Sequence, residues 1–283
     1  MKNKTLQTTG PIGVFDSGYG GLTILKEIVK LLPHYDYIYL GDNARTPYGS
    51  RSFETVYQYT AQAVEHLFQL DSPLVILACN TASAKALRTI QQNDLLRIDA
   101  SRRVLGVIRP TVELLSELSQ NGHIGIFATQ GTVASESYPI EISKLYGEDH
   151  FKVSQVACPM WVPLVESGEL EGEGTEFYVK KYIEELFLKD GEIDTIILGC
   201  THYPLLENQI KRFVPKCVRV ISQGTIVAES LKNYLERHKE IEDRITQNGT
   251  IRYLTTERGD NFAQFAQLFM GHKVQIEHID FED

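Results

Sequence analysis

Two short strings in this chain recur in the same order. Ile12-Gly13-Val14-Phe15-Asp16-Ser17-Gly18 is echoed by Ile124-Gly125-Ile126-Phe127-Ala128-Thr129-Gln130. Val75-Ile76-Leu77-Ala78-Cys79-Asn80-Thr81 is echoed by Ile196-Ile197-Leu198-Gly199-Cys200-Thr201-His202. Both pairs lie roughly 110–120 positions apart, the signature of an internal repeat. Buried parallel strands share a Val-Ile-Leu vocabulary, so one echo carries little weight. Cys followed by a small polar residue is not a generic strand ending, and two echoes in order read as a duplicated α/β unit with one cysteine in each half.

The surrounding pattern agrees. Ile12–Phe15 is a β-branched and aromatic run, followed by the Gly-rich loop Asp16–Gly21. Leu25, Ile28, Val29 and Leu32 then fall at helical spacing, with Pro33 as the stop. Tyr37–Leu40 and Leu74–Leu77 read as the next strands, with a helix over about 52–70 between them. Further strands are expected at Val104–Ile108, Ile124–Phe127, Val153–Val156, Ile196–Leu198, Val218–Ile221, Ile251–Leu254 and Val274–Ile276. Near-continuous apolar strands alternating with helices mean parallel sheets covered on both faces. The expected fold class is therefore α/β. Two similar domains, each a mostly parallel sheet flanked by helices, are related by a pseudo-twofold axis, with the site in the cleft between them. Residues 1–105 and 222–283 should form the first domain, and 106–221 the second.

The 283 residues suit two domains, and 42% hydrophobic content supplies two cores. The net charge of −9 lacks the electrostatic footprint of a nucleic-acid binder, so DNA and RNA are not expected partners. The segment Met1–Gly10 carries two lysines but no apolar stretch behind them, unlike a signal peptide. No run approaches the roughly 18 apolar residues of a membrane span, which points to the cytoplasm. The four cysteines, Cys79, Cys158, Cys200 and Cys217, are far apart and contain no C-x-x-C pair. Zinc-site spacing is absent, so no metal is expected, and a reducing compartment leaves them as free thiols. Cys158 and Cys217 read as small buried apolar residues.

Cys79 and Cys200 read differently. Each closes a parallel strand at its carboxyl end, the edge where open α/β sheets bind ligands. The residues that follow, Asn80-Thr81-Ala82-Ser83 and Thr201-His202-Tyr203, should open helices whose free N–H groups suit a carboxylate or phosphate. The loop Asp16-Ser17-Gly18-Tyr19-Gly20-Gly21 offers a third such place, since glycines let backbone approach a ligand. It is not a P-loop, because the G-K-[ST] ending is missing. Its likeness to a serine-protease G-D-S-G-G string fails at Phe15 and in its α/β setting.

At this point a resemblance becomes specific. Phe15–Leu22, Gly41-Asp42-Asn43-Ala44-Arg45-Thr46-Pro47-Tyr48-Gly49, Ala78–Ala84 and Gly199-Cys200-Thr201-His202-Tyr203-Pro204-Leu205 look like the sequence blocks of the bacterial glutamate racemase family. Ala157–Glu166 is similar to a further block. The likeness runs from about Pro11 to Leu206. Gly-Cys-Thr-His differs from the Gly-Cys-Thr-Glu of the related aspartate racemases. One departure is Arg109, where many members carry Glu before Pro110. It lies outside the blocks that hold substrate, so any effect is expected at the hinge or a subunit contact.

The resemblance implies interconversion of L- and D-glutamate by two thiols acting from opposite faces of the α-carbon, without cofactor or metal, to supply D-glutamate for peptidoglycan. It implies that Cys79 serves the D-form and Cys200 the L-form, with Asp16 assisting Cys79 and His202 assisting Cys200. Glu166 is a third candidate from the family pattern. It heads the acidic run Glu166, Glu169, Glu171, Glu173 and Glu176, most of which reads as a solvated loop. Asp16, Ser17, Tyr48, Gly49, Asn80, Thr81, Thr201 and His202 would hold the substrate, mostly as neutral donors that grip carboxylates without a strong opposing charge. A free thiol near pKa 8.5 is only a few per cent thiolate at pH 7, so these neighbours must help. A turnover of about 10 per second corresponds to a barrier of roughly 16 kcal/mol, which desolvation and positioning between closing domains would have to reach. The resemblance admits a homodimer. The rival readings are an aspartate or hydantoin racemase of the same superfamily, a glutamate-binding regulatory module with silent cysteines, and a second role with a protein partner.

Overall fold

The computed structural model describes residues 8–258, 261–271 and 273–281; the reading of the first seven residues lies outside them. Ten strands build two sheets. β1 (Ile12–Asp16), β2 (Tyr37–Gly41), β3 (Leu74–Leu77), β4 (Arg103–Gly106), β9 (Ile251–Thr255) and β10 (Ile276–His278) form one, in the order β10-β9-β2-β1-β3-β4. β5 (His123–Ala128), β6 (Lys152–Ala157), β7 (Thr195–Gly199) and β8 (Arg219–Ile221) form the other, in the order β6-β5-β7-β8. Every pairing between these strands is parallel.

The orders β2-β1-β3-β4 and β6-β5-β7-β8 are the same pattern twice. The sequence echo joins β1 to β5 and β3 to β7, the matching strands of the two sheets. In each, the chain leaves a central strand for one side and later returns on the other. That makes a topological switch point beyond the carboxyl ends of β1 and β3, and again beyond β5 and β7, where a crevice opens.

Helices cover the sheets because parallel strands need long crossovers. The helix Leu22–Leu31 buries Leu22, Ile24, Leu25 and Ile28. It ends just before Pro33, which cannot donate to a helix ladder. Ser52 caps the helix Phe53–Gln69, its hydroxyl accepting from the Thr55 N–H at 3.1 Å. In the second half Trp161 is fully buried, stacked edge-on against Phe127, Tyr182 and Tyr203.

The chain passes between the sheets twice, after β4 and after β8. The expected strand Val104–Ile108 is shorter than its apolar run: it ends at Gly106, and Ile108 already belongs to the helix Ile108–Glu113. Period alone does not separate a buried strand from the helix that follows it. The last strand lies at Ile276–His278, not at Val274–Ile276. Glu173 and Glu176 are not in a loop; they open the helix Glu173–Lys189, where negative charge favours the N-terminus. Arg109 sits in the first passage, paired with Glu113 at 2.8 Å and Glu141 at 3.6 Å. Among the described residues no helix is long and apolar enough to cross a membrane.

Ile197, fully buried in β7, should be the kind of residue the fold depends on. Ile197→Ala should lower stability in urea unfolding by about 2–5 kcal/mol. Leu188→Ala, at a side chain 87% exposed, should stay within about 0.5 kcal/mol.

Candidate active site

Both switch points face one cavity of about 130 Å³. That is well below the roughly 300–1,000 Å³ of drug-sized sites and suits a small metabolite. Ser17, Tyr48, Gly49, Asn80, Thr81, Glu166, Thr201, His202 and both cysteines line it. Of the residues singled out from sequence, Asp16 alone lies behind the wall, fully buried. Some of the fit comes from backbone. A Cβ on Gly20 would stand 2.3 Å from Thr201 Oγ1 and 2.5 Å from His202 Nδ1. Only glycine lets the first loop press against the second cysteine's loop.

Cys79 follows β3 and is the N-cap of the helix Asn80–Lys85, its Sγ accepting from the Ala82 N–H at 3.5 Å. The first turn leaves the N–H groups of Asn80 and Thr81 without intrahelical partners, beside the cavity. Ser17 Oγ lies 3.3 Å from Cys79 Sγ. Burial first, and the Asp16 charge second, push the Cys79 thiol up to about 12, against the hydrogen bonds of Ser17 and Ala82. Asp16 is itself raised by burial, although the His202 charge and the N–H groups of Gly18 and Gly21 oppose it. The Gly18 N–H donates to Asp16 Oδ1 at 2.9 Å, and Thr201 Oγ1 donates to Oδ2 at 3.3 Å. Asp16 thus ties the first loop to the loop of the other cysteine.

Cys200 follows β7 and faces His202, with Sγ 3.9 Å from Nδ1. Nε2 of the same ring lies 3.0 Å from Glu166 Oε1. Burial disfavours a charged imidazole, but the hydrogen bonds to Cys200 and Glu166 outweigh it and raise His202 to about 10. Cys200, His202 and Glu166 therefore form a line in which partners at both ring nitrogens favour the protonated imidazole. The expected helix at Thr201 starts later. The chain turns through Thr201 and His202 into a 3₁₀ turn, Tyr203–Leu206, because Pro204 near its start supplies no N–H.

Tyr48 is buried and donates to Asp42. The Gly49 carbonyl accepts from the Gly131 N–H at 2.7 Å, a backbone bond between the halves. Asn80 lines the cavity, but its side-chain amide is turned to Gln223 and Tyr138. Thr129 lines the cavity and was missed. Thr81 Oγ1 lies 2.9 Å from Thr129 Oγ1 and 3.3 Å from Thr132 Oγ1. The signal was present, since the echo aligns Thr129 with Ser17. Cys158 is buried at the cavity's edge, as expected. Cys217 is exposed, against expectation, because it lies in the turn Pro215–Val218 ahead of β8 and not on a strand.

Away from the site, His123, Asp190 and Glu192 bring metal-type donors together at the opposite end of β5, where Lys152 already sits 3.4 Å from Asp190. A larger cavity of about 620 Å³ at the junction of the halves is lined by Ser83, Gly106, Arg109 and Leu231, and by none of the three cysteines of the first cavity.

Residues 12–231 match the Asp/Glu/hydantoin racemase family. Over 274 residues the chain is 39% identical to a glutamate racemase of Streptococcus gordonii, covering 95% of this chain and 98% of that protein. Among solved structures it resembles a glutamate racemase from Francisella tularensis in complex with D-glutamate. The TM-score is 0.85 at 32% identity, over 97% of this chain and 98% of that one. A glutamate racemase isoform from Bacillus anthracis gives 0.84 at 34% identity, over 96% and 97%.

The unequal surroundings of the four thiols should show in alkylation followed by mass spectrometry. Exposed Cys217 should react first, Cys200 next, and buried Cys158 last. Reaction at Cys79 should climb about tenfold per pH unit across the alkaline range, tracking its thiolate fraction. A plateau at Cys79 near neutral pH would contradict the assignment.

Proposed function

As a member of the Asp/Glu/hydantoin racemase family, the chain interconverts L- and D-glutamate, and we propose that Cys79 and Cys200 are the two acid–base groups that do so. The observation carrying this reading is that two buried thiols from matching strands line one small cavity, each with its own polar partners. Inverting an α-carbon requires a proton to leave one face and another to arrive on the opposite face.

With L-glutamate bound, the Cys200 thiolate takes the α-proton. The C–H electron pair passes into the adjacent carboxylate, and the Cys79 thiol then delivers its proton to the other face. Cys79 is left as thiolate and Cys200 as thiol, which is the starting state for D-glutamate. Burial and the Asp16 charge favour the protonated form of Cys79, and His202 stands beside Cys200 as its partner. Glu166 orients His202 and stabilises its charge. Asp16 acts through Cys79 and Thr201 from behind the wall. The N–H groups of Asn80 and Thr81, the hydroxyls of Ser17 and Thr201, and the Tyr48–Gly49 segment grip the substrate's carboxylates and amine. The chemistry uses side chains alone.

We take 1–105 with 222–283, and 106–221, as the two domains; strand membership in the two sheets supports that division. The product serves peptidoglycan synthesis. The cytoplasm is the fitting compartment, since unpaired reactive thiols need reducing conditions. A homodimer belongs to the same reading, and sedimentation of the purified protein tests it.

Proton NMR in D₂O with each enantiomer tests the mechanism. The wild type should lose the α-proton signal and generate the other enantiomer. Cys79→Ser and Cys200→Ser should each lower kcat on the order of 10³-fold or more, and Glu166→Gln by a smaller factor. Racemisation that survives both cysteine substitutions sinks the two-thiol reading.

A further inference from the structure

The two passages of the chain between the sheets run side by side, and one side chain stitches them. Gln223 follows β8 directly, at the head of the helix Gly224–Arg237. Its Nε2 reaches Thr111 Oγ1 at 2.8 Å and the Val107 carbonyl at 3.2 Å, both in the first passage. The same nitrogen donates to the Tyr138 hydroxyl at 2.9 Å. Tyr138 donates to Asn80 Oδ1 at 2.8 Å, and Asn80 Nδ2 donates back to Gln223 Oε1 at 2.7 Å. The three side chains therefore close a ring in which each is donor once and acceptor once. All three are buried, at 2% exposure or less.

We propose that Gln223 is a positioning residue for racemisation. Through this ring it holds Asn80, and with it the helix start that carries Cys79, in register with the half that carries Cys200. Three features point there. Asn80 adjoins Cys79 in sequence, so its side-chain anchor fixes the turn from which the thiol projects. Tyr138 belongs to the helix Ser137–Tyr146 of the other half, so the ring spans the cleft. A buried amide or hydroxyl left unpaired is costly, so the halves cannot slide past one another without breaking a closed set of bonds. Neither sequence echo touches Gln223, and no cavity contact with substrate is needed for its role.

The inference rests on the two-thiol reading, and isotope effects separate the two. Gln223→Met keeps the shape and removes every bond; Tyr138→Phe removes one link and carries the test if the first variant does not fold. Displacing a reacting group by about 1 Å costs on the order of a hundredfold in rate, so kcat should fall roughly ten- to a hundredfold. KM should stay within about threefold, since uniform binding is untouched. A slower Cys79 transfer makes abstraction more rate-limiting from D-glutamate and less so from L-glutamate. The primary isotope effect with α-deuterated D-glutamate should therefore rise while that with the L-form falls. Gln223→Glu, which keeps the acceptor for Asn80, should recover part of the rate. Equal or absent changes in the two isotope effects, a rise in KM alone, or a lowered melting temperature with intact kcat overturns the proposal. Racemisation that persists in Cys79→Ser would instead overturn the two-thiol reading.

Discussion

A strand in a parallel sheet has both faces covered by the crossovers that made it parallel, so its carboxyl end is the place where chemistry can meet a ligand. Everything distinctive in this molecule follows from setting two such edges against each other. β3 and β7 each deliver a cysteine to its edge, β1 and β5 deliver Ser17 and Thr129 beside them, and the cavity is the space enclosed. Repetition of the strand order brings both thiols to one cavity, where one unit alone would bring a single thiol.

The repeat is then broken where the chemistry needs it broken. β1 ends in Asp16-Ser17 and β5 in Ala128-Thr129, so a carboxylate sits behind one thiol only. Cys200 has His202 and Glu166; Cys79 has Ser17 and the first turn of a helix. Burial and the Asp16 charge raise the Cys79 thiol, whereas Cys200 has the His202 ring as its neighbour. The same scaffold thus carries unlike neighbours at its two cysteines. The bond from Thr201 to Asp16 makes each setting depend on the other half being in place.

Much of this was legible because it rests on local pattern. Apolar runs mark each strand within a few residues, and the echo alone pairs the two cysteines. Boundaries failed where strand and helix share an apolar vocabulary, as at Val107 and Ile108. Cys217 failed because a single cysteine's burial depends on the turn around it. Asn80 was singled out as a substrate contact, yet its side chain serves the junction. Gln223 left no trace, since a buried glutamine ahead of a helix looks like any polar residue until its partners, more than 80 positions away, are brought beside it. Thr129 is legible too, since the first echo aligns it with Ser17.

The two sheets differ in how soon they can be finished as the chain is made. The four strands of the second come from one unbroken stretch, β5 to β8. The first needs β9, which lies against β2 from Tyr37↔Ile251 to Gly41↔Thr255, and β10 beyond it. Its edge at β2 stays open until Thr255 has left the ribosome. The half bearing Cys200 can settle while the half bearing Cys79 still waits for its outer strands. Vectorial synthesis therefore leaves the first sheet unfinished longest, and a nascent chain cut short before Ile251 has both cysteines but an open edge at β2.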